Sequence, residues 1–210
     1  MRFTIFLFIF FIFNYVYSQC LSGDCINGYG QWQYTDGTYS GEWKNGQRNG
    51  KGTFTFSNGD TYIGEFLNDN RNGKGKYQSK NGHVYEDDWI NGSNTGNCNW
   101  SLSNGDIYEG DVVNRTFHGK GKYKWKNGEL YDGDWINGEK TGNCKWSLSN
   151  GDIYEGDVVN GLFHGKGKFQ WKNGELYDGD WLNGKRTGKG IFLFSNGVEY
   201  EGDFVDGVMT

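Results

Sequence analysis

From residue 28 onward the chain alternates apolar and polar residues in short runs, and the runs return at a fixed interval. Tyr39, Tyr62, Tyr85, Tyr108, Tyr131, Tyr154, Tyr177 and Tyr200 are each 23 residues apart, with no insertion or deletion. Strict alternation over such short runs marks half-buried strands, whose successive side chains point to opposite faces. Each unit holds two runs. Tyr39, Gly41 and Trp43 share a face in the first, and Gly52, Phe54 and Phe56 share one in the second. The pattern predicts one hairpin per unit with a single ring-bearing face, and a fixed period in this range predicts that units stack. Asn58-Gly59, Asn81-Gly82, Asn104-Gly105, Asn127-Gly128, Asn150-Gly151, Asn173-Gly174 and Asn196-Gly197 join one unit to the next. Asn-Gly favours tight turns with positive φ at both positions, so these junctions are expected to be the tight ones. The segment within a unit, such as Asn45 to Gly50, is expected to be a longer polar loop.

Seven complete units fill residues 39–199, starting at 39, 62, 85, 108, 131, 154 and 177. A truncated unit begins at Tyr200, and a partial one precedes them at 28–38. Thr95 to Asn114 and Thr141 to Asn160 differ only at Asn99 versus Lys145, which points to duplication of a two-unit block. A tyrosine, glycine and tryptophan at alternate positions, then NGxxxGxGxFxF and NGD, resemble the MORN repeat over nearly all of residues 28–210. That resemblance implies a hairpin per repeat in an elongated sheet, acting as a scaffold or membrane-associated module rather than a catalyst. This sequence departs from the pattern at Asp87 in place of the first glycine, at Asp69 and Arg115 in place of the second, and at Cys98 and Cys144 in place of the fourth. The expected fold is all-β: one elongated antiparallel sheet, a meander of hairpins, preceded by a signal peptide.

Ring sizes compensate along the array, each triplet carrying two large residues and one smaller (Trp89, Trp100, Leu102; Val112, Tyr123, Trp125). This is the behaviour of a packed volume, where voids and overpacking both cost stability. On the other face the first strands are acidic (Asp132, Asp134, Glu155, Asp157) and several second strands basic (Lys120, Lys122, Lys166, Lys168). Neighbouring strands then set opposite charges side by side, each exposed pair contributing roughly 0.2 to 1 kcal/mol.

Composition sharpens the picture. The 210 residues include 36 glycines, no proline and no alanine, poor material for helices. Nine Trp, 14 Tyr and 15 Phe are too many aromatics for a disordered chain. The net charge of −5 argues against a nucleic-acid partner, which needs a basic surface. Arg2, the apolar run Phe3 to Phe13, and Val16 and Ser18 at small-residue positions describe an export signal over 1–18, cut after Ser18. The run is too short to span a bilayer without tilt or thinning, and Gln19 before Cys20 does not suit a lipoprotein signal. The chain is expected in an exported compartment, with 19–27 as a cysteine-containing cap.

In that compartment Cys20 and Cys25 are expected to form a short disulfide. Cys98 and Cys144 stand four strands apart, roughly 19 Å, and read as small buried substitutes for glycine. His83, His118 and His164 are scattered over separate units and read as surface loop positions rather than metal ligands or general bases. The carboxylate pair Glu155 and Asp157 recurs in nearly every unit, whereas a catalytic pair should be singular. Gly119-Lys120-Gly121 opens a strand and so lacks the helix amino terminus of a phosphate loop. Asn91, Asn99 and Asn114 head glycosylation sequons, which matter on a eukaryotic secretory route.

The sequence therefore points to a non-enzymatic exported scaffold without metal or cofactor, whose ring-bearing face binds a protein partner or a second copy. The candidate contact residues are Tyr85, Trp89, Tyr108, Trp125, Tyr131, Trp135, Tyr154, Trp171, Tyr177 and Trp181. The alternatives are a weak lipid or glycan contact, or a peripheral phospholipid-binding module; the lysines alternate with acids rather than cluster, which disfavours headgroup attraction.

Overall fold

The structure is a computed structural model that describes residues 18–210; the expected export signal lies outside the described residues except for Ser18. It contains 18 strands and, among the described residues, no helix. The strands are β1 (Gln19–Gly23), β2 (Gly28–Gln33), β3 (Gly37–Lys44), β4 (Gln47–Phe56), β5 (Thr61–Leu67), β6 (Asn70–Gln78), β7 (Val84–Ile90), β8 (Ser93–Ser101) and β9 (Ile107–Val113). They continue with β10 (Thr116–Lys124), β11 (Leu130–Ile136), β12 (Glu139–Ser147), β13 (Ile153–Val159), β14 (Leu162–Gln170), β15 (Leu176–Leu182), β16 (Lys185–Leu193), β17 (Glu199–Val205) and β18 (Val208–Met209). Each pairs antiparallel with the next, so the sheet is one open meander in sequence order. The expected sheet is confirmed, and in it glycine faces glycine at Gly41↔Gly52 and again at Gly52↔Gly64.

The turns are distributed the other way round from expectation. The tight two-residue turn lies within a unit: Asn45 and Gly46 have φ of 52° and 74°, and Asn137 and Gly138 have 52° and 86°. The junction between units is the longer loop. At Asn58-Gly59 only the glycine has positive φ, Gly59 N–H donates to the Phe56 carbonyl at 2.9 Å, and the Phe56 amide to the Asp60 carbonyl at 2.9 Å. Asn-Gly occurs at both places, so the dipeptide alone cannot choose between them. Asp60 decides: its backbone N–H is held by Asn58 Oδ1 at 3.0 Å, and its carboxylate accepts the Lys80 amide at 2.8 Å.

Because the inner turn is tight, the second strand starts at Gln47 and runs to Phe56. It carries a bulge near Gly50, whose φ is +84°, and pairing jumps from Trp43↔Arg48 to Gly41↔Gly52. The Glu42 carboxylate fills the bulge, accepting the Lys51 amide at 3.2 Å. Asp111, Asp134 and Asp180 do the same for Lys120, Asn143 and Lys189. The bulge sets residue 48 opposite Trp43, on the ring-bearing face. His118 and His164 therefore lie in β10 and β14 rather than in loops, because the strand begins before them.

At the amino end, β1 pairs with β2, and Cys20 and Cys25 are joined with their Cα atoms 6.2 Å apart.

Candidate functional site

The ring-bearing face is built from flat tyrosines. The Tyr39 ring lies over Gly41 and Gly52, where a Cβ at Gly52 would stand 2.3 Å from the tyrosine oxygen. Only glycine admits that approach, which is why glycines alternate with rings along both strands. The Tyr39 hydroxyl donates to the Glu42 carbonyl at 3.0 Å, inside the bulge. Trp43 meets the ring edge-on at 5.2 Å and Phe66 of the next unit does so at 5.0 Å, the preferred T-shaped geometry. The indoles of Trp43, Trp135 and Trp181 donate to the carbonyls of Gly30, Gly121 and Gly167 at 3.0, 3.0 and 2.9 Å.

A further residue closes the seat: the second after each inner turn. Phe117 stacks on Tyr108 and Phe163 on Tyr154, both at 3.9 Å. Where the covering residue is a cation it lies over several rings. The Arg71 guanidinium is 4.7 Å from the Tyr62 centroid and 4.9 Å from that of Trp89, and Lys140 Nζ is 4.2 Å from Trp146 and 4.7 Å from Trp125. Tyr39, Tyr62, Tyr108, Tyr131, Tyr154 and Tyr177 are consequently 0% exposed, although they belong to a single sheet.

This changes the standing of the ten expected contact residues. Tyr85, Trp89, Tyr108, Tyr131, Trp135, Tyr154, Tyr177 and Trp181 are buried and make up the core. Only Trp125 and Trp171 remain partly exposed, and beside them stand rings the sequence reading left out, Tyr123 and Trp146 among them. The missed signal was the covering position (Arg48, Arg71, Asn94, Phe117, Lys140, Phe163 and Arg186), concealed inside a segment read as loop.

On the opposite face the acid and base rows meet. Lys120 pairs with Asp134 at 2.5 Å, Lys166 with Asp180 at 2.6 Å and Lys145 with Glu155 at 2.5 Å. The Lys166 ammonium, ahead of the Lys189 backbone amide, holds the Asp180 carboxyl below the usual carboxylate range. Along one margin Leu67, Ile90, Val113, Ile136, Val159, Leu182 and Val205 are all exposed, so the apolar row that follows the first strands is uncovered. Cys98 and Cys144 are buried free thiols over Gly110 and Gly156, and burial pushes both up to about 12. They are unreactive substitutes for glycine rather than nucleophiles.

The family model of the MORN repeat matches residues 39–61, 62–84, 108–129, 131–153, 154–175, 177–199 and 200–210. The chain belongs to the MORN-repeat family. No curated protein sequence matches it. Among solved structures it is similar to the TCP10 domain of CPAP from Danio rerio, at 8% identity over 84% of each chain with a TM-score of 0.49. It is also similar to the TCP domain of SAS-4 from Drosophila melanogaster, solved with a proline-rich motif of Ana2, at 14% identity over 72% of this chain and 83% of that one, TM-score 0.46. Neither likeness is close enough to bear on function.

The MORN repeat that begins at Tyr85 is the irregular one. Asp87 takes the first glycine's place and Cys98 the fourth's, so Tyr85 has no glycine seat. Its hydroxyl turns to Asp87 Oδ2 at 2.8 Å instead of a backbone carbonyl. Burial holds the Asp87 carboxyl above the usual carboxylate range. Asn94, too short to cover the ring, donates to the tyrosine oxygen at 2.5 Å. The indole nitrogens of Trp89 and Trp100 are buried without acceptors. Two cavities flank this repeat on the ring-bearing side: one of about 250 Å³ among Tyr77, Tyr85, Trp89 and Trp100, and one of about 650 Å³ among Arg71, Trp89, Asn94, Val112 and Arg115.

Proposed function

We propose that this chain is a non-enzymatic, exported MORN-repeat scaffold whose ring-bearing face receives a protein partner or a second copy. The observation that carries the reading is the row of half-exposed rings at the ends of the second strands: Tyr123, Trp125, Trp146 and Trp171, with Trp125 and Trp146 stacked at 6.3 Å. No helix or second sheet among the described residues covers them. Contiguous apolar surface of this kind usually marks an interaction site, and rings with a wet polar edge are favoured at protein interfaces. The lysines of the opposite face are largely engaged with carboxylates, which leaves little free charge for lipid headgroups.

The test is capture by the chain of proteins from its own exported fraction, beside a variant carrying Trp125→Ser and Trp171→Ser that keeps the parent's circular dichroism. Loss of a specific captured protein in the variant is expected. Identical capture by both, with a strict monomer in light scattering at high concentration, would remove the platform reading. Sequencing the amino terminus of the exported protein tests cleavage after Ser18.

A further inference from the structure

Each covering residue faces the second turn residue of the following repeat. The turn amide donates back to the covering residue's carbonyl: Asp69 to Arg48 at 3.1 Å, Gly92 to Arg71 at 2.9 Å, Gly207 to Arg186 at 2.9 Å. The backbone frame is therefore the same at these three seams, and only the side chains differ. At the first of these seams Asp69 places its carboxylate on Arg48, with Nε to Oδ1 at 3.2 Å. At the next seam the turn residue is Gly92, and nothing replaces the carboxylate. The Arg71 guanidinium, fixed between the rings of Tyr62 and Trp89, has no ion pair and no side-chain hydrogen bond among the described residues. Arg186, also facing a glycine, at least donates to the Gly207 carbonyl at 2.6 Å.

The vacancy above Arg71 opens into the cavity of about 650 Å³. No Asp or Glu lines that cavity, and a second guanidinium does: Arg115, a turn residue held at φ +60°, where a side chain other than glycine is strained. Two cations share one cavity that no carboxylate lines; Asp60 acts on Arg115 from outside it, and neither arginine has an ion pair among the described residues. Burial first, and Arg115 in addition, hold the Arg71 guanidinium below its ordinary pKa. Such a pair is completed by an anion whose oxygens match the planar fork of arginine.

We propose that the seam between the repeats beginning at Tyr62 and Tyr85 binds an acidic peptide segment, whose Asp or Glu side chain takes the place over Arg71 that Asp69 takes over Arg48. The protein's own seam is the template, since there the occupant is an aspartate presented by a tight turn, with its carboxylate on the arginine. Trp89 and Val112 give apolar walls for the residues beside the carboxylate, and Ser93 and Asn94 give polar groups for its backbone. This rests on the platform reading above and assigns its partner's chemistry.

The structure supplies its own blocking variant. Gly92→Asp puts a carboxylate on the vacant turn position. Its φ of +83° is close to the +67° that Asp69 already adopts, and a Cβ there meets only Asn70 Oδ1, at an ordinary 3.5 Å. The probe is acetyl-Leu-Asp-Gly-Leu-amide against its Asn counterpart, followed through the Arg Nε–H resonances of the folded chain. The Asp peptide is expected to bind about tenfold or more tightly than the Asn peptide and to weaken with salt. Gly92→Asp and, independently, Arg71→Gln should each abolish that preference while leaving the melting transition in place.

Equal affinity for the two peptides, or undiminished preference in Gly92→Asp, overturns the proposal. So does tighter, Arg71-dependent binding of glucuronate or of phosphatidylserine vesicles, which would move the carboxylate or anion to another source. Because Trp125 and Trp171 lie outside this seam, their capture experiment fails or succeeds independently of Gly92.

Discussion

Alkaline titration should unfold this sheet between about pH 10 and 12, and the cause is the row of sealed tyrosines. A tyrosine in an unfolded chain ionises near pH 10. In the folded chain burial pushes Tyr62 up to about 12 and raises Tyr39, Tyr108, Tyr131, Tyr154 and Tyr177 for the same reason. The native state thus keeps protons that the unfolded chain gives up. Their stabilising contribution is complete below the unfolded pKa and falls as pH rises through the folded one. At about pH 11 each of Tyr39, Tyr62, Tyr108, Tyr131 and Tyr154 favours the unfolded state by about 1.4 kcal/mol, and the five together by about 7 kcal/mol, with Tyr177 acting in the same direction. That is of the order of a whole domain's stability, about 5 to 15 kcal/mol. Burial of the Cys98 and Cys144 thiols, each up to about 12, acts with the same sign. The assay follows tyrosinate absorbance and the far-ultraviolet dichroism of the sheet in one titration. Both should change together in a steep transition. A gradual rise of tyrosinate with the sheet signal intact through pH 12 would refute the claim that covering residues seal the rings.

Gly121→Ala places a Cβ 2.3 Å from the Tyr108 oxygen, and urea denaturation should show a loss of about 3 kcal/mol. Asn137→Ala, at φ 52°, should cost about 1 kcal/mol in the same assay, and Asn137→Gly far less. Lys120→Ala removes the exposed pair with Asp134 and should change stability by less than about 1 kcal/mol. The Cys20–Cys25 bond closes so short a loop that its reduction should cost under about 3 kcal/mol. Hydrogen exchange should then accelerate in β1 and β2 and stay unchanged from Tyr39 onward.

What the sequence made legible was everything that depends on parity and period. Tyr39, Gly41 and Trp43 could only share a face, and the 23-residue return of Tyr62 and Tyr85 could only stack like on like. The charge ladder followed from the same parity. What stayed hidden depends on loop length. With Asn45-Gly46 and Asn58-Gly59 equally suited to a tight turn, assigning it to the second moved the start of each second strand from Gln47 to near Gly52. That shift removed Arg48 and its equivalents from the ring-bearing face, and with them the reason the tyrosines are sealed. It also turned His118 and His164 into loop residues. The NGD aspartate was visible, but not its task of holding the following turn at Lys80, Lys126 and Lys172.

The array separates folding from recognition by position. The residues that must be constant are those whose backbone is approached by a ring or whose φ is positive, and substitution there has a measurable cost in stability. The covering residue obeys neither constraint, and the turn residue opposite it keeps a positive φ yet takes Asp, Gly or Arg; at six of the seven seams a backbone hydrogen bond that needs neither side chain joins the two. Along the chain that pair reads Arg48 with Asp69, Arg71 with Gly92, Asn94 with Arg115, Phe117 with Gly138, Lys140 with Gly161, Phe163 with Gly184 and Arg186 with Gly207. Charge is closed at the first seam, open at the second and absent at the fourth, on a frame those three share. A partner that spans several repeats would meet a different chemical surface every two strands without any change of fold, so its register on the sheet would be fixed by these pairs rather than by the repeated rings.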